Sequence, residues 1–223
     1  MGVAGKQRGF TLVELLIAIT LLSLVMVTGT FAYFQLASRW DKELGDFQQQ
    51  AQTAKVVTQL EQVLKGIIPY VVRDKEGKPT FFFVGSESRL LAVTNNGLIS
   101  GKPEVFRLVL QQQESHFQLV YQAIAMEKVI LTSTEQSLDF SSTKVLLNRL
   151  QGADFNYYGW QSLTLKSNRI PGTKPSWFNN YRSQERGLTP EYIKLKIDDF
   201  TLFSQLDREP SHWKGHFSEG GML

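Results

Sequence analysis

From Phe10 to Phe34 the chain is apolar almost without a break, interrupted by Thr11, Glu14, Thr20, Ser23, Thr28, Gly29 and Thr30. At about 1.5 Å per residue, such a run crosses a hydrocarbon core of roughly 30 Å as one helix. The pattern then changes. Leu36, Trp40, Leu44, Phe47, Ala51, Ala54, Val57, Leu60, Leu64 and Ile67 recur at steps of three and four, one face of an amphipathic helix, and no proline intervenes before Pro69. Together the two patterns predict one nearly continuous helix from Phe10 to Ile68, membrane-embedded over 10–34 and packed on a globular domain over 35–68. Gly29 and Gly45 are its weak points, each costing about 1 kcal/mol relative to alanine, and either is a place for a bend.

After Pro69 the pattern becomes short aromatic and β-branched runs separated by turn residues. Phe81 to Val84 and Leu90 to Thr94 read as strands, the second closed by the turn signal Asn95-Asn96-Gly97. Val105 to Leu110 and Phe117 to Gln122, joined across Gln113-Glu114-Ser115, alternate as a hairpin. Val129 to Thr132, Ser137 to Phe140, Phe155 to Tyr158, Leu163 to Lys166 and Tyr192 to Ile197 add further strands, and Lys144 to Leu150 fits either a strand or a short helix. One long helix followed by many strands predicts an α+β fold, the helix covering a mostly antiparallel sheet. The segment Ser167 to Pro190 reads as a long loop whose Trp177, Phe178 and Tyr181 pack either on its own sheet or on a partner subunit. The expected layout is a leader over 1–9, the two helix halves, a β-rich domain over 69–207 and a mobile tail over 208–223.

Charge gives the helix a direction. Lys6 and Arg8 precede the span and no acid lies among the first nine residues, so the positive-inside rule keeps that end cytoplasmic and sends the chain from Trp40 onward across the membrane. No small-residue cleavage site of the secretory type follows the apolar region, so the anchor is expected to stay. Glu14 is then an acid inside the start of a membrane helix, costing about 2.5 to 3.5 kcal/mol at mid-bilayer and less near a helix end. A charge so placed calls for a partner.

The segment Arg8-Gly9-Phe10-Thr11-Leu12-Val13-Glu14-Leu15-Leu16-Ile17 resembles the processing motif of type IV pilins and pseudopilins at each motif position. The resemblance implies a prepilin peptidase that cuts between Gly9 and Phe10 on the cytoplasmic side and methylates the new amine of Phe10, with Glu14 as the acid used in assembly. It further implies an inner-membrane protein with its globular domain in the periplasm. Its expected partners are other minor and major pseudopilins or pilins, an inner-membrane assembly platform and the lipid bilayer. A cationic amine one turn from a carboxylate in a low-dielectric setting is attracted far more strongly than in water, so Glu14 of one subunit can meet Phe10 of another. More loosely, Val105 to Leu110, Phe117 to Tyr121, Leu146 to Leu150, Phe155 to Tyr158 and Trp160 resemble J-type minor pseudopilins of the type II secretion system. That family's tryptophan-rich segment ending in Leu-Pro has only an approximate counterpart, since Trp177 is distant from Trp160 and Thr189 separates Leu188 from Pro190. A minor pilin of a type IV pilus, acting in initiation, adhesion or DNA uptake, stays open beside it.

Composition narrows the chemistry. The roughly 150 residues beyond the helix suit one domain. With no cysteine, thiol chemistry, disulfides and Cys-based zinc sites are excluded. The net charge of +3 is modest and its cations are scattered among acids, which does not indicate nucleic acid. No Gly-x-Ser-x-Gly elbow is present, and Gly97 to Lys102 falls one residue short of a phosphate loop and runs into Pro103. His212 and His216 have chelating spacing if helical, but Gly215 lies between them and they read as incidental. Asp198-Asp199 reads as a turn or solvated edge. No clustered oxygen-ligand loop suggests calcium. The expectation is a structural protein and not an enzyme, with no catalytic residue, cofactor or metal.

Overall fold

The computed structural model describes residues 11–168, 172–198 and 200–206, side chains excepted at 41–46 and 48–50. The expectations for Gly9, Phe10, Asp199, His212, His216 and the tail lie outside the described residues. Helix α1 spans Leu12–Lys65. The chain divides between Gln52 and Thr53 into two units, the second holding the last turns of α1 and every strand.

In the first unit α1 is apolar from Leu12 to Trp40, long enough to cross a membrane, and none of that stretch is buried. Its hydroxyls are satisfied within the helix. Thr20 donates to the Ile17 carbonyl at 2.8 Å, Ser23 to Ile19 at 2.9 Å, Thr28 to Leu24 at 2.9 Å and Thr30 to Met26 at 2.8 Å. A lipid-facing helix needs such back-bonding because hydrocarbon offers no substitute for water.

In the second unit the strands follow in chain order as β1 (Ile67–Ile68), β2 (Val71–Arg73), β3 (Pro79–Phe81), β4 (Phe83–Ser86), β5 (Arg89–Thr94), β6 (Glu104–Gln113) and β7 (His116–Ala125). They continue as β8 (Ser142–Leu150), β9 (Ala153–Gly159), β10 (Ser176–Phe178), β11 (Tyr181–Arg182), β12 (Tyr192–Ile197) and β13 (Phe200–Gln205). Two short helices, α2 (Leu163–Ser167) and α3 (Ser183–Arg186), lie between β9 and β12. A seven-stranded antiparallel sheet is ordered β11-β4-β5-β6-β7-β8 with β1 pairing β5, a four-stranded antiparallel sheet is ordered β10-β9-β12-β13, and β2 pairs β3. The fold is α+β, a long apolar helix followed by antiparallel sheets.

The main core joins Leu60, Val63 and Leu64 of α1 to Phe106 and Tyr121 of the large sheet and to Phe155, Tyr157, Ile193 and Leu195 of the small one. A smaller core of Val72, Phe82, Val93, Val105 and Leu131 covers the other face of the large sheet. Alternation explains this division. Val105 and Phe106 are neighbours on β6 that point to opposite faces, and each face has its own cover.

Several boundaries differ from the sequence expectation. Helix α1 ends at Lys65, and Ile67–Ile68 pair with Thr94 and Val93 as a strand. Thr94 Oγ1 donates to the Val63 carbonyl at 2.8 Å and Asn96 Nδ2 to the Gln62 carbonyl at 3.0 Å, satisfying the helix end from a distant turn. Gly66 is required there, since a Cβ would lie 2.6 Å from Thr94 Oγ1 and 2.8 Å from the Asn96 side chain. The expected strand Phe81 to Val84 is two strands, because the chain changes partner at Phe82: Phe81 pairs with Val71 and Phe83 with Ala92. Val129 to Thr132 and Ser137 to Phe140 are not strands. Val129, Leu131, Leu138 and Phe140 pack on the outer core while Ile130 is exposed, and Gln136 bonds the Thr132 amide and the Ile130 carbonyl. Leu163 to Lys166 is helical, with Ser162 Oγ accepting from the Leu165 amide at its start. Lys144 to Leu150 belongs to β8. The expected loop Ser167 to Pro190 contains β10, α3 and β11, and its aromatics pack on the domain's own sheets: Tyr181 is fully buried and Trp177 lies opposite Tyr158.

Candidate functional site

The start of α1 is built by its own sequence. Thr11, Leu12, Val13 and Glu14 form a reciprocal cap: the Thr11 amide and hydroxyl each donate to Glu14 Oε2 at 3.1 Å, and the Glu14 amide donates to Thr11 Oγ1 at 3.4 Å. This is the Thr-x-x-Glu arrangement that satisfies orphan amides at a helix N-terminus, where the helix dipole also favours a negative charge. The sequence reading singled out Glu14 and missed this role, although the signal stands in the sequence as a threonine three residues before a glutamate. Glu14 is exposed, as are Leu15, Leu16, Ile17 and the apolar residues after them. Gly9 and Phe10 are outside the described residues, so of the three expected site residues Glu14 alone has a described position. The arrangement gives a carboxylate held at the start of an exposed apolar helix, three residues past the threonine that it caps.

The globular unit holds titratable groups that serve its fold. Glu104 is 1% exposed. Its carboxylate accepts from the Tyr121 hydroxyl at 2.7 Å and the Ser100 amide at 2.5 Å, which closes the Gly97 to Lys102 turn around it. The Ser100 amide is thus engaged by the Glu104 carboxylate. Burial, then the bond to Glu104, pushes the Tyr121 hydroxyl well above the ordinary tyrosine range. Burial also raises Tyr157 and Tyr181, whose hydroxyls donate to the carbonyls of Ser86 and Trp160. Asp198 is a turn residue, as the sequence suggested: its φ is 43° and its Oδ1 accepts from the amides of Gln151 at 2.8 Å and Gly152 at 2.9 Å. An open depression of about 670 Å³ lies beside it, lined by Glu87, Phe117, Asp154 and Lys196 among others. Among the described residues no three His, Asp or Glu side chains converge to hold a metal ion.

Residues 5–30 match the family described as the prokaryotic N-terminal methylation motif. No curated protein matches the chain. The motif spans the cap, Glu14 and most of the apolar run from Phe10 to Phe34. It supports a type IV pilin-like family and a pilin or pseudopilin role. The single N-terminal apolar helix is consistent with membrane anchoring.

Proposed function

We propose that the chain is a structural minor pseudopilin of the type II secretion system, cut by a prepilin peptidase between Gly9 and Phe10, methylated on the Phe10 amine and assembled at the tip of a periplasmic pseudopilus. The observation that carries it is the coincidence of the methylation motif over 5–30 with an exposed apolar helix headed by Glu14. In the bilayer that helix is solvated by lipid tails. In a filament the same surface packs against the helices of other subunits, whose gain comes from close packing. Glu14 keeps its caps from Thr11 in the single subunit and gains the Phe10 amine of a neighbour on assembly, a pairing strengthened by the low dielectric around it.

The choice of a secretion pseudopilin rests on the looser resemblance of the β-hairpin and of Phe155 to Trp160 to J-type subunits. The work assigned to the chain is packing, without turnover, and the buried Glu104, Tyr121, Tyr157 and Tyr181 are held by bonds within the fold. Glu14→Leu tests the assembly role. A contact worth about 1.4 kcal/mol changes an equilibrium about tenfold, so incorporation into the assembled complex should fall at least about tenfold while the amount in the membrane stays the same. Unchanged incorporation would remove Glu14 from assembly.

A further inference from the structure

The outer face of the large sheet, the one that carries Val105, is partly open, and its cations lack matching acids. Strand register sets Arg182, Val84, Leu91, Arg107, Gln122 and Thr143 in one row across β11, β4, β5, β6, β7 and β8. The next row is Ser86, Arg89, Val109, Val120 and Val145, the last of them 51% exposed. Neither row contains an acid. Arg182 is paired with Glu185 of α3 at 3.4 Å. Arg89 is exposed and makes no side-chain hydrogen bond or ion pair among the described residues. Arg107 is half-buried and held in place: its Nε donates to Gln122 Oε1 at 2.8 Å, and its Cζ lies 4.4 Å from the centre of the Phe140 ring. Gln122 is fixed in turn by donating to Thr143 Oγ1 at 3.4 Å.

No acid of the surrounding elements neutralises Arg89 and Arg107. In the segment 126–140, which packs over this face, Glu127 pairs with Lys102 at 2.8 Å and Glu135 with Lys75 at 2.9 Å. Glu87, in the turn before Arg89, lines a depression with Phe117, which packs on the main core at the opposite face. Glu114 lies in the turn between β6 and β7, roughly 16 Å beyond Val109 along an extended strand. Asp139 is exposed beside Phe140 and makes no ion pair among the described residues. Burial and the Arg89 cation both make Arg107 a weaker base than an ordinary arginine, and no carboxylate offsets them.

We infer that Arg89 and Arg107 form a docking site for an extended acidic segment of another polypeptide, which brings two carboxylates at alternate positions to this face. The spacing selects that partner. Arg89 faces Val109 and Arg107 faces Leu91, so the two arginines are diagonal neighbours on β5 and β6, about 7 to 8 Å apart. Acids two residues apart on an extended chain point the same way and lie about 6.7 Å apart. A single anion suits the pair less well, because Gln122 holds Arg107 toward β7 while Arg89 rises from β5. A flat anionic bilayer also fits poorly: the segment 126–140 stands on the face beside Arg107, and a side chain reaches a half-buried guanidinium where a plane of headgroups does not. The guanidinium fork takes a carboxylate through two parallel hydrogen bonds, and Phe140 and Gln122 order Arg107 before a partner arrives. The site belongs to the globular unit alone and does not depend on processing at Phe10.

The chain has no cysteine, so Gln111→Cys, exposed on the same face of β6, gives one labelling site in the full-length protein in uncharged detergent. A fluorophore there is titrated at low salt with nitroxide-bearing peptides of about eight residues that carry two glutamates in a serine background, either two positions apart or adjacent. The two isomers have equal charge, and only the first puts both acids on one side of an extended chain. The expected result is saturable quenching by the first, at least about fivefold tighter than by the second. Arg89→Gln should weaken that binding at least about fivefold, whereas Lys144→Gln, in register with Tyr121 of the inner face, should leave it unchanged. Asp139→Asn should also leave it unchanged. Arg89, Lys144 and Asp139 are all exposed, and an unchanged circular dichroism spectrum confirms folding of each variant. Absent quenching, equal quenching by the two isomers, or indifference to Arg89→Gln overturns the inference. A gain in affinity with Asp139→Asn overturns it by making Asp139 the counter-ion within the chain. Quenching that is lost in Arg89→Gln but comes from nitroxide-bearing phosphatidylglycerol in the micelle, or from a nitroxide-labelled second copy, in preference to the peptide overturns it in favour of a lipid surface or of self-association. A failure of Phe10 processing leaves this result standing and removes the proposed function instead.

Discussion

At the residue scale the globular unit depends on buried polar groups held by specific partners. Glu104 is an acid in a core, tolerable because Tyr121 and the Ser100 amide both donate to it. Tyr121→Phe removes one donor and leaves a buried carboxylate oxygen unsatisfied, so unfolding by urea should show a loss of about 1 to 3 kcal/mol. The same residues set the response to alkali. Tyr121, Tyr157 and Tyr181 each have hydroxyls raised above the ordinary value near 10.0, chiefly by burial. Above that value the unfolded chain releases protons that the native chain retains, so stability is complete below about pH 10 and falls as pH rises beyond it. A denaturation midpoint that is flat to pH 9 and declines above about pH 10 is the expected profile, and Tyr157→Phe should flatten part of the decline.

At the element scale α1 shows how one periodic face serves two ends. Leu60 and Leu64 are fully buried in the main core, whereas Phe47, on the same heptad-like series, is 68% exposed, and Leu36 and Trp40 are exposed too. Leu64→Ala should cost the domain about 2 to 5 kcal/mol in thermal or urea unfolding. Phe47→Ala should leave that transition unmoved, because its side chain is exposed. The α+β order was legible because helix and strand periods differ and the runs are long. The helix end was not: Ile67 continues the apolar step from Leu64, and what stops the helix is Gly66 with capping groups of Thr94 and Asn96, about thirty residues away. Apolar runs such as Val129 to Thr132 mark burial and not pairing, which a sequence alone does not separate. Strand β13 was missed because Leu202 and Phe203 are adjacent apolar residues, breaking the alternation, and the second of them faces outward.

At the scale of the whole molecule the chain combines an exposed apolar helix with a domain whose buried Glu104 and whose Tyr121, Tyr157 and Tyr181 hydroxyls are occupied by structural bonds. Those two properties suit a subunit whose work is to be packed. Glu14 was legible as an acid in an apolar run, and its cap with Thr11 shows how the chain carries it before any neighbour is present. The proposal that unites the helix, the acid and the motif is processing at the Gly9 to Phe10 bond. Mass spectrometry of the assembled protein's N-terminus tests it most directly. The account predicts a chain that begins at a methylated Phe10. A chain in the assembly that still begins at Met1 would contradict it.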